Sequence, residues 1–212
     1  MTQKDTAAAL NWRYATKAFD SSKKLTVNQL QALKDALRLS ASSFGLQPWT
    51  FIHVTSANFR AELVQHAWGQ KQVADASDLF VICRPESYTV AHVDAHIDRM
   101  AELKGVGVET FAGFRKMVVG HVENMSAERL EAWTSRQLYI ALGSLLTVAA
   151  YEGIDAVPME GFVPAEVDRV LGLEKLGLKS VLLCPVGFRA ADDKYAVAPK
   201  IRFSEEQVFV EL

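Results

Sequence analysis

Residues 126–152 constrain the fold of this chain more than any other segment. They read as one long helix, stopped by Gly153, which suits the left-handed position after a helix end. The central stretch, IALGSLLTVAA, is apolar on nearly all sides. A helix of that kind belongs in the centre of a core or in a subunit interface. The longest apolar run, 138–151, falls short of the roughly 20 residues that cross a bilayer, so no membrane partner is expected. The chain has 212 residues, enough for one substantial core, and a single domain over 1–212 is expected.

The remaining elements follow from local signals. Thr26 suits the N-cap of a helix, with Gln29 closing a capping box, and Leu25 and Leu30 fit a hydrophobic staple. Leu30, Leu33 and Leu37 then mark its apolar face. An earlier helix is expected over 6–14, and another over about 56–68. WTFIHV (49–54) reads as a strand. DLFVICR (78–84) and KSVLLCPV (179–186) are apolar without alternation, as in strands buried on both faces. Two or three helices are expected across 88–124, a short strand over 155–158, a small helix over 164–171, and a partly extended tail over 203–212. Helices with a few buried strands far apart in sequence indicate an α+β sandwich around one central sheet. The inserted helices at about 88–125 would sit at its edge.

Positive residues number 23 and negative 25, a formal charge of −2, which gives no basic stripe for nucleic acid. The start, MTQKDTAAALNW, lacks the apolar core of a signal peptide. Cys83 and Cys184 lie in apolar runs without a CxxC, as small buried thiols do. Together these features indicate a cytoplasmic protein.

Four cations stand near the chain ends. Arg13 and Lys17 are four apart and share a face if the first helix continues through them. Lys200 and Arg202 are two apart and share a side if their segment is extended. A dianionic phosphate wants several convergent donors of this type, and ordinary surface charge is the competing reading. The segment SASSFGLQPW (40–49) joins a helix to a strand with small residues that let backbone approach a ligand. In AVPMEGF (156–162), Glu160 is either a general base or a donor only through its backbone N–H. Other patterns fail. His92 and His96 are at i and i+4, but Val93 stands where a zinc protease needs Glu, so no metal site is expected. KGVGVET lacks the third glycine of a dinucleotide fingerprint, and no GxSxG elbow or Walker loop occurs. Trp12, Trp49, Trp68 and Trp133 suit a core or an interface better than a binding cage.

Five segments in this order carry a resemblance: RYATKAFD at 13–20, SASSFGLQPW at 40–49, GQKQVADAS at 69–77, VPMEGF at 157–162 and PKIRF at 199–203. Together they resemble the nitroreductase family of FMN enzymes, especially the oxygen-insensitive nitroreductases and dihydropteridine reductases. The resemblance implies a three-layer α+β sandwich with a mixed, mainly antiparallel sheet, in an intertwined homodimer with FMN at its interface. It implies hydride transfer from NADH or NADPH through FMN to nitroaromatic, quinone or similar acceptors, by a ping-pong mechanism. Arg13, Lys200 and Arg202 would bind the phosphate, with Tyr14 and Ala15 beside them. Lys17 would lie at the pyrimidine edge of the flavin. Ala41, Ser42 and Ser43 would line it from the partner subunit, and Gly69 and Gln72 would also contact it. Pro158, Glu160 and Gly161 would back the ring, with the last two donating backbone N–H groups to it; Lys17, Glu160 and Gly161 are thus the catalytic candidates. Phe44 and Gly45 would shape the substrate face, and Phe111, Phe114 and Met117 a lid over it.

Several positions depart from the subgroup. Tyr14 and Ala15 replace a common His-Ser pair, Ala41 a usual Pro, and Gly69 and Gln72 an Asn and a Lys. Phe44 and Gly45 stand where Thr and Asn often occur. These changes leave the acceptor open. A different reductive reaction on the same fold, or a flavin-carrying binding or sensor protein with little turnover, remain alternatives.

Overall fold

The computed structural model describes residues 6–212; of the opening stretch read above for a leader, residues 1–5 lie outside the description. The helices are α1 (Thr6–Trp12), α2 (Val27–Arg38), α3 (Ala57–His66), α4 (Gln72–Asp75), α5 (Val90–Lys104), α6 (Ala112–Glu123), α7 (Ala127–Tyr151), α8 (Pro164–Leu171) and α9 (Glu205–Val208). The strands are β1 (Thr50–His53), β2 (Asp78–Pro85), β3 (Asp155–Ala156) and β4 (Leu178–Gly187), ordered β1-β2-β4-β3 with every strand pairing antiparallel. One parallel bridge, Ala15 to Ala156, adds the N-terminal segment to the β3 side.

The strand sequences explain the layering. Successive β2 side chains point to opposite faces. Leu79, Val81 and Cys83 enter one apolar cluster with Leu63 of α3, Val73 of α4 and Val167 of α8. Phe80 and Ile82 enter the other, with Leu33 and Leu37 of α2 and Leu138, Leu142 and Leu145 of α7. Because both faces are covered, the strand has no polar alternation. The result is the expected α+β class, with helices on both sides of one sheet. Cys83 and Cys184 are buried free thiols, and burial pushes both up to about 12.

The capping box at α2 is present, with Gln29 N donating to Thr26 Oγ1 at 3.2 Å and Thr26 N to Gln29 Oε1 at 3.0 Å. α7 buries one face against the sheet and leaves Tyr139 (42 % exposed), Ile140 (46 %) and Gly143 uncovered on another. α5 and α6 form a hairpin with a small core of its own, including Leu46, Tyr88, Val93, Ile97 and Val118. The short α4 was not evident in the sequence. Arg60, buried in α3, donates to the carbonyls of Val73 (2.9 Å), Ala74 (2.9 Å) and Ser77 (2.8 Å) and so pins that turn. The tail is irregular apart from α9. Among the described residues, no helix is long and apolar enough to cross a membrane.

Candidate functional site

α1 stops at Trp12, not at Tyr14. The reason is non-local: Ala15 bridges Ala156 and Phe19 bridges Arg189, so the chain is drawn out along the sheet. Arg13 and Lys17 therefore do not share a helical face. They meet instead in a pocket with Lys200 and Arg202, which arrive through the 3-10 turn Lys194–Val197 and the irregular chain after it. This cavity, of about 380 Å³, is lined by all four cations together with Trp12 and Tyr14.

The charges in the pocket are under strain. Burial, and then the nearby Arg202, hold Arg13 below its ordinary pKa. Burial, and then Arg13 and Arg202, do the same for Lys200. Like charges gathered this way favour a bound anion. Lys200 Nζ donates to the carbonyl of Arg13, tying the two chain ends together. The Tyr14 hydroxyl is already engaged, donating to Asp193 Oδ2 at 2.9 Å. Burial, followed by that bond, pushes Tyr14 up to about 12.

Under this pocket lies a buried charged layer that the sequence did not reveal. Asp155 of β3 accepts from Arg189 N and Nε, both at 2.8 Å. The Arg189 guanidinium stacks on the rings of Trp12 (4.2 Å) and Tyr14 (4.6 Å), a cation–π arrangement. Asp193 was missed as well. The only local hint was an Asp opening a turn, the position where its side chain caps a following N–H.

The other sequence candidates do not line the cation pocket within this chain. Ser43 N donates to Gln137 Oε1 of α7 at 2.8 Å, and Ser42 Oγ accepts from Gln47 N at 2.9 Å; Ala41 beside them is exposed. Gly69 takes a left-handed φ of 73°, and Gln72 is buried. In the 158–161 loop, half-buried Pro158 precedes Met159, whose N donates to Leu183 O at 2.8 Å. The exposed Glu160 carboxylate accepts from Tyr139 Oη. Gly161 O accepts from Gln70 Nε2 at 2.8 Å, and a Cβ at Gly161 would meet the Trp68 ring at 2.9 Å. Trp68 itself is 71 % exposed, so within this chain it is not a core residue, unlike Trp49 and Trp133, which pack against the cores.

A second cavity, about 320 Å³, brings together Phe44, Met117 and His121. Phe44 lies edge-on to Phe114 (6.4 Å) and His121 (5.1 Å). It holds a left-handed φ of 55°, a conformation that strains a bulky residue. Gly45 neighbours the His96 ring, and Lys104 sits 5.4 Å over the Phe111 ring. His92 Nδ1 accepts from Thr89 N at 3.1 Å, closing the cap of α5.

A family model described as the nitroreductase family matches residues 10–188. The oxygen-insensitive NAD(P)H nitroreductase of Salmonella typhimurium is 32% identical over 208 residues, covering 94% of this chain and 96% of that protein. The enzyme of the same description from Enterobacter cloacae is 30% identical over 207 residues, covering 94% and 95%. Among solved structures, a protein from Exiguobacterium sibiricum in complex with FMN superimposes with a TM-score of 0.82 at 24% identity, covering 100% of this chain and 99% of the other.

Proposed function

This chain belongs to the nitroreductase family, and from that premise we propose that it is an FMN-dependent oxidoreductase moving a hydride equivalent from NADH or NADPH to nitroaromatic, quinone or similar small acceptors. The observation that carries this reading is the convergence of Arg13, Lys17, Lys200 and Arg202 from opposite ends of the chain on one pocket. That donor set fits the terminal phosphate of FMN. It also fits the absence of a Gly-rich dinucleotide loop from the sequence.

FMN, when bound, supplies the centre that takes up and passes on the hydride. The protein's part is to hold it and set its electrostatics. Arg13, Lys200 and Arg202 neutralise the phosphate, and Tyr14 and Ala15 form the wall beside it. Lys17 lies at the pyrimidine edge, where a positive charge favours negative charge on the ring. Gly69 and Gln72 border the ring. Pro158, Glu160 and Gly161 back it, the last two through backbone N–H groups, while the Glu160 side chain stays engaged with Tyr139. Glu160 is therefore assigned a backbone role and not that of a general base. Ala41, Ser42 and Ser43 are contributed by the partner subunit across a dimer interface built on the uncovered face of α7. Phe44, Gly45, Phe111, Phe114 and Met117 shape the acceptor side, and the hairpin at about 88–125 covers the site. Donor and acceptor use one site in turn, which gives ping-pong kinetics.

The test is chromatography of heat-released cofactor against standards, followed by addition of NADH or NADPH to the yellow protein. FMN and bleaching, with colour restored by a quinone, are expected. FAD, or no flavin after reconstitution, overturns the assignment; bound flavin that does not bleach points to a binding protein.

A further inference from the structure

Asp193 is 6 % exposed and its carboxylate is saturated by donors from both halves of the cation pocket. Its Oδ2 accepts from Tyr14 Oη at 2.9 Å, Lys17 N at 2.8 Å and Ala18 N at 3.1 Å. Its Oδ1 accepts from Tyr195 N at 3.0 Å, inside the turn that leads to Lys200 and Arg202. One buried side chain thus joins the strand-like segment bearing Arg13 and Lys17 to the turn feeding the other two cations.

The need for such a splint follows from the pocket. Burial first, and then the mutual repulsion of Arg13, Lys200 and Arg202, keep Arg13 and Lys200 below their ordinary pKa values. The other ties between the two segments are Lys200 to the Arg13 carbonyl, and, closer to β4, Ala190 N to Ala18 O at 2.9 Å, the Phe19–Arg189 bridge and the Arg189 guanidinium on the Trp12 and Tyr14 rings. A binding site held in its bound geometry before the ligand arrives avoids the ordering cost at binding.

We propose that Asp193 is a positioning residue for the cofactor phosphate. It preassembles the cationic pocket by clamping the Lys17 and Ala18 backbone to the Tyr195 turn, without itself touching the ligand. This rests on the FMN reading for the identity of the ligand, but not for the clamp.

The charge of Asp193 and its position predict opposite outcomes when it is neutralised. Considered as a charge only, Asp193→Asn removes a negative group near a phosphate site and should tighten FMN binding. Considered as a clamp, the same change replaces an acceptor of four bonds by an amide with half the accepting atoms, and FMN binding should weaken. Riboflavin, which has no phosphate, separates a local loss at the pocket from general damage to the flavin site.

Two measurements on the full-length protein decide the matter. In the first, cofactor-free wild type, Asp193→Asn and Tyr14→Phe are titrated with FMN and with riboflavin. The expected result is an FMN affinity roughly 10-fold or more lower in Asp193→Asn, riboflavin affinity changed less than about 3-fold, and a smaller loss of the same kind in Tyr14→Phe. Tighter FMN binding, or parallel loss of both ligands, overturns the proposal. In the second, amide hydrogen exchange is followed at Lys17 and Ala18 without any ligand. Exchange should accelerate in Asp193→Asn and remain slow in wild type; unchanged exchange overturns the clamp. Should wild type take up no flavin, the FMN reading falls, and the exchange measurement still decides for or against Asp193. Tyr14→Phe keeps the buried carboxylate and removes one of its four bonds, so if Asp193→Asn fails to fold the FMN and riboflavin titrations of Tyr14→Phe decide: a selective loss of FMN supports the clamp, and none overturns it.

Discussion

Lys200 donates its ammonium to the backbone carbonyl of Arg13 across 187 positions of sequence. That contact closes the pocket in which Arg13 and Lys17 meet Lys200 and Arg202. The strain of packing them together and the affinity for an anion are two faces of one arrangement.

Arg202→Ala should therefore act in opposite directions on stability and binding. It removes the charge that repels both Arg13 and Lys200, so the cofactor-free protein should melt slightly higher. FMN affinity should fall roughly 10- to 100-fold, the worth of one charge-assisted hydrogen bond of about 1.5–3 kcal/mol. Lys200→Ala should likewise weaken FMN. Differential scanning of the cofactor-free variants and fluorescence titration check the pair; unchanged affinity in both would reduce these cations to surface charge.

The same strain has a pH signature. Lys200 is held below its ordinary pKa, so the unfolded chain binds that proton more tightly than the folded one. Burying this charge, and then its repulsion by Arg13 and Arg202, cost stability at neutral pH, and that cost is relieved as pH rises through the depressed value toward the unfolded one, near 10.4. Wild type without cofactor should gain stability over that interval relative to Lys200→Ala. Inorganic phosphate at pH 7 should stabilise wild type more than the variant. Parallel stability curves for the two proteins would contradict this.

Three phenols should resist ionisation. Lost hydration of the hydroxyl heads the causes that push Tyr14, Tyr88 and Tyr139 up to about 12, only in part for the 42 % exposed Tyr139, with Asp193 adding to the first and Glu160 to the last. A raised phenol pKa contributes stability that is complete below the unfolded value, about 10, and fades as pH climbs from there toward 12. An ultraviolet pH titration of the native protein should show these three tyrosines ionising late or only on unfolding. Replacing any one by Phe should remove amplitude from the late phase alone.

Gly143 tests the proposed dimer. A Cβ there meets nothing within 4 Å inside the chain, and the flanking Tyr139 and Ile140 are exposed. Gly143→Trp should leave the single-chain fold unstrained yet shift sedimentation from dimer to monomer. A wild type that sediments as a monomer while retaining flavin would refute the dimer outright.

Phe44 should govern acceptor choice. Its ring walls the cavity shared with Met117 and His121, away from the cations. Phe44→Ala should change the ratio of kcat/KM between a bulky and a small quinone by about 10-fold or more, in line with the worth of a side chain in an apolar pocket. FMN affinity should move less than that. Equal effects on the two acceptors would deny Phe44 the role.

The parts of this fold readable from sequence were those specified by neighbours. Thr26 and Gln29 announce α2 because a capping box is a contact three residues long. β2 and β4 announce themselves because strands covered on both faces lose their polar alternation. The end of α1 was not readable, since Ala15 is taken from the helix by Ala156, 141 positions away. The four cations were visible as residues, but their convergence depends on how the sheet brings both chain ends to one side. Asp193 was hidden for the same reason: all but one of its four partners lie in the N-terminal segment.

The strand order β1-β2-β4-β3 places the last-made strand between two earlier ones. During synthesis, β2 thus waits with one edge unpaired until Leu178–Gly187 leaves the ribosome. A nascent chain cut short before that point carries a sticky apolar ribbon in place of a sheet, the kind of edge that recruits other chains. The cationic pocket is finished later still, at Arg202, so the full set of anion donors exists only on chains made that far.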